Sequence, residues 1–191
     1  MELCHLKNSE IAKIHQKYKG RIVFRGDNVK DEDNAYAVFT EQGTSSSSMA
    51  AAKLLDTIAH LPGNKGEDSD AVGAYKQVKL DWMKAHNFNT KTWVTLPRHQ
   101  RPKSWDEIDH PVVELKINLY GHPLAGLFWE IFSTDKILKA GFHKVPGWEC
   151  LFVHYELQNF LNVYVDDFKM AGKASNMEEA WKRIRQHIDL E

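Results

Sequence analysis

Hydrophobic and polar positions alternate near the end of the chain in a pattern that predicts paired β-strands. Apolar residues recur at every second position in 150–157, and 160–165 is rich in β-branched and aromatic residues. Both patterns are typical of strands. Gln158-Asn159 separates the two stretches, and Asp166-Asp167 separates the second from a further apolar stretch. The pattern predicts consecutive antiparallel strands, with two adjacent carboxylates at the tip of the last hairpin.

Apolar residues recur at helical spacing in three other segments. These segments are 46–60, 123–140 and the stretch after Ser175. Pro62-Gly63 and Gly141 are predicted to end the first two helices. Ser175, with Glu178 three residues later, predicts a capping box at the start of the third. A short helix is also predicted at 8–18.

Shorter strands are predicted upstream, at Arg21–Arg25, Ala35–Thr40, Thr92–Leu96 and Pro111–Ile117. In contrast, 63–66 is predicted to be a loop, and the acidic residues at 67–69 are unsuited to a strand. The order of elements mixes helices with a mostly antiparallel sheet, which indicates an α+β fold. A length of 191 residues suits a single domain, 1–191, or two lobes that share a core.

The charge of the chain is nearly balanced overall but is locally uneven. The formal net charge is −1. Segment 7–30 has seven basic and two acidic residues (net +5), and segment 76–103 has seven basic residues and one acidic residue (net +6). Two interpretations stay open: a groove that binds a polyanion, or two solvated surfaces.

Several classes of protein find no support in the sequence. Cys4 and Cys150 lie far apart and form no metal-binding pattern, so reduced thiols are expected. No apolar run is long enough to span a bilayer, and residues 1–20 lack the apolar centre of a signal peptide. We therefore expect an intracellular protein, cytoplasmic or nuclear, that is not secreted and has no membrane partner.

Asp70 is the candidate third carboxylate beside the Asp166-Asp167 pair. If a strand that ends at Asp70 lies next to the hairpin tip, three carboxylates converge, and their mutual repulsion calls for a counter-charge. Two Mg²⁺ ions roughly 3.5–4 Å apart supply it in enzymes that transfer phosphoryl groups. The opposing interpretation is that Asp166-Asp167 is an ordinary turn, in which Asp is common.

Five motifs in order resemble those of copia-type retrotransposon reverse transcriptases, over about residues 19–172. The hairpin resembles the Tyr-x-Asp-Asp box, and 70–75 resembles the motif of the first catalytic aspartate. Weaker similarities lie at the Leu-Tyr-Gly box, at the start of the fingers and at a Tyr-Met-x-x-Pro stretch. In chain order the matching runs are Lys19-Gly20-Arg21-Ile22-Val23-Phe24-Arg25-Gly26, Asp70-Ala71-Val72-Gly73-Ala74-Tyr75, Trp93-Val94-Thr95-Leu96-Pro97, Leu119-Tyr120-Gly121 and Tyr164-Val165-Asp166-Asp167.

The resemblance implies a fold and a domain layout. It implies a palm, mostly an antiparallel sheet with helices on one face and the Asp-Asp hairpin, together with part of a fingers subdomain. The fingers would cover mainly 19–62 and 76–118, and the palm mainly 63–75 and 119–191. The thumb and the ribonuclease H domain are expected to be absent, so the chain is expected to be a fragment of a polyprotein or a degenerate copy.

The resemblance also implies roles for single residues. Asp70, Asp166 and Asp167 would be catalytic and would ligate two Mg²⁺ ions, for which Mn²⁺ can substitute. Tyr75 would lie under the incoming sugar and exclude a 2′-hydroxyl. The remaining assignments are contacts with the triphosphate by Lys19 and Arg21 and with primer or template by Tyr164 and Gly121.

The implied activity is RNA-directed DNA synthesis from deoxynucleoside triphosphates on a template–primer. One departure from the family lies in the Leu-Tyr-Gly box, where Pro123-Leu124 replaces a Lys-Gln pair that helps to seat the nucleotide. Two alternatives stay open. The first is a non-catalytic domain of the same fold that binds nucleic acid, and the second is an unrelated metal-dependent phosphohydrolase.

Overall fold

The computed structural model describes residues 1–39, 47–89 and 91–191, and its fold is α+β, as the sequence predicts. The strands in these ranges are β1 (Glu2–Lys7), β2 (Lys17–Ile22), β3 (Asn64–Asp70), β4 (Trp93–Val94), β5 (Val113–Glu114), β6 (His143–Lys144), β7 (Leu151–His154), β8 (Asn159–Tyr164) and β9 (Asp167–Lys173). The α-helices are α1 (Met49–Ala59), α2 (Leu80–Met83), α3 (Ala125–Lys139) and α4 (Met177–Arg185).

The chain divides into two compact units. The first unit comprises Met1–Thr40 and Lys79–Ala125, and the second comprises Glu41–Val78 and Gly126–Glu191. The second unit contains a five-stranded sheet in the order β3-β9-β8-β7-β6, in which all neighbouring strands are antiparallel. The three consecutive strands predicted near the end of the chain are the central strands of this sheet.

Helices cover both faces of this sheet, so the expectation that they lie on one face is wrong. Leu55 of α1 packs with Leu151 and Ala171 on one face. On the opposite face, the Trp129 ring of α3 lies 6.5 Å from that of Phe168 in an edge-on contact. The reason is that the central strands carry apolar side chains on both sides, and each apolar face must be covered.

The helices predicted at 46–60, at 123–140 and after Ser175 are confirmed, although one of their capping signals is not. Ser48 accepts the Ala51 N–H at 3.1 Å and caps α1, which lies inside the predicted 46–60; position 46 is outside the described residues. Gly141 follows α3 with a φ of +92°. The capping box is wrong, because the residue before α4 is Asn176 and no side chain caps that end.

β3 corrects the prediction of a loop at 63–66 and of a poor strand at 67–69. It is a seven-residue strand paired with β9 along its whole length. β3 has no apolar side chain, and only Ser69 is buried within it. Because its backbone hydrogen bonds to β9 do not depend on apolar side chains, the long-range pairing overrides the weak strand propensity.

The first unit contains a β1–β2 hairpin where a helix at 8–18 was predicted. That helix is wrong: residues between the strands form only a 3₁₀ turn at Lys13–His15. Ile14 remains 85% exposed, so the helical spacing had no core to face. In the second unit, α1 has a similar length, but its apolar residues Ala51 and Leu55 are buried. Helical spacing of apolar residues therefore does not by itself decide whether a segment forms a helix.

The remaining strand predictions for this unit hold only in part. β2 ends at Ile22, so Arg21–Arg25 is mostly outside it. Tyr36 forms a single bridge to Lys30, no strand forms in 35–39, and Thr40 lies outside the described residues. β4 and β5 pair with each other inside the stretches predicted at 92–96 and 111–117, but each has two residues.

Leu55 provides a test of how α1 is held on the sheet. It is fully buried, whereas its neighbour Leu54 is 36% exposed. We expect Leu55→Ala to lower the free energy of unfolding by about 2–5 kcal/mol, through lost burial and the cavity left behind. Urea unfolding measures the change, with Leu54→Ala as the control on the same helix. The packing would be contradicted if Leu54→Ala cost as much as Leu55→Ala.

Candidate carboxylate site at the end of the sheet

The register of β3 against β9 places two of the predicted site residues directly opposite each other. Asp70 pairs with Asp167, and Tyr164 of β8 pairs with Asp167 from the other side. Side chains of directly paired residues point to the same face of a sheet, with Cβ atoms about 4.5–5.5 Å apart. The carboxylates of Asp70 and Asp167 therefore share one face at the end of the sheet, and both residues are exposed.

Asp166 lies in the two-residue turn between β8 and β9. The first turn residue, Val165, has a φ of +55°, a conformation that Gly usually adopts in turns of this kind. A β-branched residue in this region is strained, at a cost of about 1–3 kcal/mol. Strain of this size persists only where the surroundings hold the turn in place.

Two hydrogen bonds from outside the hairpin hold that turn. The indole Nε1–H of Trp129 donates to the Val165 carbonyl at 2.5 Å. The backbone N–H of Ala71 donates to the Asp166 carbonyl at 2.7 Å. Both acceptors are turn carbonyls, so the bonds fix the backbone that carries Asp166 and Asp167. The turn is therefore a built feature of the second unit and not a loose loop.

A short segment at 189–191 holds Asp70 from the side opposite β9. The Glu191 N–H donates to the Asp70 carbonyl at 2.9 Å, and the Val72 N–H donates to the Asp189 carbonyl at 2.9 Å. The Ser69 hydroxyl donates to the Glu191 carbonyl at 2.5 Å. Sequence reasoning missed this segment; the only local signal was apolar Leu190 between two acidic residues.

The carboxylates influence one another electrostatically. The pKa of Asp167 is raised, first by partial burial and then by the negative charges of Asp166, Asp70 and Asp68. Asp68 lies two residues before Asp70 on the same strand and so faces the same side. The end of the sheet therefore presents a concentrated negative charge to solvent.

These carboxylates provide part of a ligand set for a metal ion. In the ranges that the structure describes, no three His, Cys, Asp or Glu side chains are grouped so that they hold a metal by themselves. Asp70 and Asp167, however, are hard oxygen donors on one face, and a cation would offset the repulsion that, after burial, contributes to the raised pKa of Asp167. Mg²⁺ commonly takes one or two carboxylates and completes its shell with water and substrate phosphates. The residues fit that incomplete type of site.

Tyr75 is placed by a compact turn next to the hairpin. It belongs to a 3₁₀ helix, Ala74–Gln77, that follows Gly73 in the left-handed conformation (φ +57°). The amide of Gln77 donates to the Val72 and Asp189 carbonyls at 3.1 and 3.0 Å and so ties this helix to the 189–191 segment. Tyr75 is half-buried and lines one cavity together with Val165.

The other sequence-predicted residues divide between the two units. Tyr164 lies at the end of β8 and is 54% exposed. Lys19, Arg21 and Gly121 belong to the first unit. There, the Arg21 guanidinium lies 5.7 Å from the centre of the Tyr120 ring. Gly121 has a φ of +85°, and any Cβ at this position would lie 2.2 Å from the Phe24 carbonyl oxygen, so only Gly fits.

Comparisons with known proteins give no family for this chain: no protein-family model, no curated protein and no solved structure matches it. Both cysteines are free thiols, Cys4 exposed and Cys150 half-buried. Within 1–39, 47–89 and 91–191, no helix combines the length and the apolar character needed to cross a membrane.

The raised pKa of Asp167 predicts a pH-dependent stability. Above its ordinary value of 3.8 and up to the raised value, the folded chain binds more protons at this group than the unfolded chain does. The free energy of unfolding therefore falls as the pH rises through that window, and the charged carboxylate is unfavourable above it. We expect Asp167→Asn to raise the free energy of unfolding at pH 7, by less than about 1 kcal/mol because the group is exposed and screened.

Urea unfolding in the presence of a chelator, at pH 7 and at pH 3, measures this effect. The gain from Asp167→Asn should shrink at pH 3, where the wild-type carboxyl is largely protonated in both states. A variant that is less stable than the wild type at pH 7, with the same difference at pH 3, would contradict the mutual repulsion of the carboxylates.

Proposed function

We propose that the chain is the fingers and palm region of an RNA-directed DNA polymerase of the retrotransposon type. The observation that carries the proposal is the register that places Asp70 opposite Asp167, next to the turn that carries Asp166. The motif resemblance predicts that Asp70 lies close to Asp166 and Asp167, although about one hundred positions separate it from them in the sequence. The α+β fold and the antiparallel sheet that bears the hairpin agree with this proposal.

The carboxylates have the role of holding two Mg²⁺ ions against the substrate. When bound, the ions would stabilise the attacking and leaving oxygens of an in-line phosphoryl displacement. Asp70 and Asp166 would ligate both ions, and Asp167 would complete the acidic group. The rigid turn contributes by keeping these carboxylates in position without a conformational search.

The neighbouring residues would bind the other parts of the substrates. Tyr75 would lie under the deoxyribose, and its half-buried position beside the turn supports such a contact. Tyr164 is exposed at the end of β8, as a residue near a primer terminus must be. In the first unit, Lys19 and Arg21 would bind the triphosphate and Gly121 would contact primer or template. Pro123 and Leu124 cannot supply the hydrogen bonds of the residues that they replace, so weak activity is expected.

Primer extension on an RNA template tests the catalytic assignment. We expect Asp70→Asn and Asp166→Asn each to reduce incorporation of deoxynucleotides at least about 100-fold, because several kcal/mol of charge stabilisation depends on the metal ligands. Asp68→Asn is the matched control, since it removes the same charge from the same strand outside the proposed ligand set. This control should keep most of the activity.

Equal incorporation by the wild type and Asp166→Asn would contradict the catalytic assignment. Release of free phosphate or nucleotide without extension of the primer would favour a metal-dependent phosphohydrolase instead. Binding of Mn²⁺, followed by its paramagnetic resonance signal, gives a readout that does not depend on turnover. It should weaken in Asp70→Asn and Asp166→Asn but not in Asp68→Asn.

A second function, non-catalytic binding of nucleic acid, is favoured by a separate observation in the first unit. The register of β1 against β2 pairs Lys7 with Lys17 and His5 with Lys19. Since paired residues and alternate residues share a face, these side chains and Arg21 form one basic face of the hairpin. Like charges directly opposite each other are unfavourable in a sheet, and a polyanion would offset that cost.

The basic face makes a quantitative prediction about salt. Phosphate contacts release counterions, so the logarithm of the affinity falls with the logarithm of the salt concentration, by about 0.7 per contact for single strands. We expect Lys17→Gln with Lys19→Gln to reduce this slope by about 1.4 for a labelled single-stranded oligonucleotide, as measured by fluorescence anisotropy.

The control for that measurement is Lys53→Gln with Lys182→Gln, which removes the same charge from exposed positions of the second unit. Its slope should match that of the wild type. An unchanged slope in the Lys17 and Lys19 variant would rule out the basic face as the contact. If binding persists in Asp166→Asn while no variant extends a primer, the non-catalytic function is the better description.

A further inference from the structure

A cavity lies between α3 and the sheet, directly behind the turn that carries Asp166. Its volume is about 90 Å³, and Val165 of the turn forms part of its wall. The inner walls are apolar: Trp129 and Ile137 of α3, Phe152 of β7 and Val163 of β8. All of these residues belong to the second unit. None of the roles assigned to the carboxylates uses this space.

The walls favour an aromatic occupant. Trp129, Phe152 and Val163 are almost fully buried and offer flat or branched apolar surfaces. Water held against such surfaces finds few hydrogen-bond partners, so an apolar group that displaces it binds favourably. An apolar cavity of about 150 Å³ in another protein is known to bind benzene. Since this cavity is smaller but opens to solvent, it suits a single ring with a substituent at its mouth.

The less buried lining residues, called the rim below, are more polar and include one carboxylate. Glu130 of α3, half-buried, lies on the rim together with Tyr75 and Cys150. The pKa of the Cys150 thiol is raised, first by burial and then by the charges of Glu130 and Glu149, against the opposing charge of Lys144. A hydrogen-bond donor with a positive charge is the substituent that such a rim would bind.

We propose that the cavity between α3 and the β8–β9 hairpin is a binding site for a small aromatic amine in its cationic form. The ring would lie against Trp129, Phe152 and Val163, and the ammonium group would pair with the Glu130 carboxylate. The occupant would contact Trp129 and Val165, which share the hydrogen bond that holds the turn. The proposal concerns binding alone and does not depend on whether the carboxylates catalyse phosphoryl transfer.

Three probes of one size separate the ring from its charge: benzylamine, benzyl alcohol and benzoate. Each is titrated into the wild-type chain while the indole N–H signals of the tryptophans are followed by NMR, with the Trp129 signal identified from a Trp129→Phe spectrum. Benzylamine should shift the Trp129 signal saturably in the millimolar range, benzyl alcohol should bind more weakly, and benzoate should bind weakest of all. Signals of tryptophans outside the cavity should not move.

A matched pair of variants tests the role of Glu130. Glu130→Gln should weaken benzylamine about fivefold, the effect of losing one partly exposed charge pair, and should leave benzyl alcohol unchanged. Glu149→Gln removes an equal charge from the neighbouring acid, which does not line the cavity, and should leave both affinities as they are in the wild type. Both changes are nearly isosteric, and the dispersion of the NMR spectrum checks that each variant is folded.

Three results would overturn the proposal. The first is the absence of any saturable benzylamine shift at Trp129. The second is a benzoate affinity equal to that of benzylamine, which would remove the role of charge. The third is equal weakening by Glu130→Gln and Glu149→Gln, which would indicate diffuse attraction of a cation and not a defined contact. Because the wild-type probe series stands alone, the test does not depend on either variant folding.

Discussion

The candidate site depends on one constraint, the register between β3 and β9. Side chains alternate between the faces of a strand, so a slip of one residue would turn Asp70 to the opposite face, away from Asp167. Two features oppose such a slip. Ser69 is buried opposite Phe168, and the 189–191 segment holds the backbone of Asp70 from its other side. The position of the carboxylates therefore follows from pairing on both edges of a polar strand.

The parts of the fold that could be predicted are those in which a local pattern coincides with burial. The stripe of Met177, Trp181 and Ile184 predicted α4 because each of these residues lies in the core. Residues 8–18 show a similar spacing on a smaller scale, but Ile14 has no core to face, and the segment connects two strands. The prediction for β3 was wrong for the opposite reason. Its residues are polar and show no strand pattern, but the segment forms a strand because it pairs with β9. Local periodicity reports burial, and it cannot report pairing between distant segments.

The same distinction applies to the site. Asp70, Tyr75 and the two adjacent aspartates were predicted as site residues because each lies in a short motif with a chemical reason for its residue types. Of these predictions, the β3–β9 register bears on one point, the position of Asp70 beside the hairpin. The hydrogen bond from Trp129 to the Val165 carbonyl could not be predicted, because it joins residues 36 positions apart. The cavity beside it has the same origin, since its walls come from α3, two strands and a turn. Sequence patterns thus indicate candidate groups, and the tertiary contacts show which bonds hold the backbone that carries them.

In each unit, two residues of like charge lie directly opposite each other on paired strands. The charges are negative in one unit and positive in the other. In the second unit, Asp70 faces Asp167, and in the first unit, Lys7 faces Lys17. Neither arrangement stabilises the fold, because paired like charges repel and exposure to solvent only screens the cost. A protein under selection for stability alone gains from replacing one member of each pair. A protein that binds a metal ion and a polyanion needs both, since the first neutralises carboxylates and the second neutralises lysines. The proposed function, phosphoryl transfer to a nucleic acid, involves both kinds of partner and would offset the repulsion in both charge clusters.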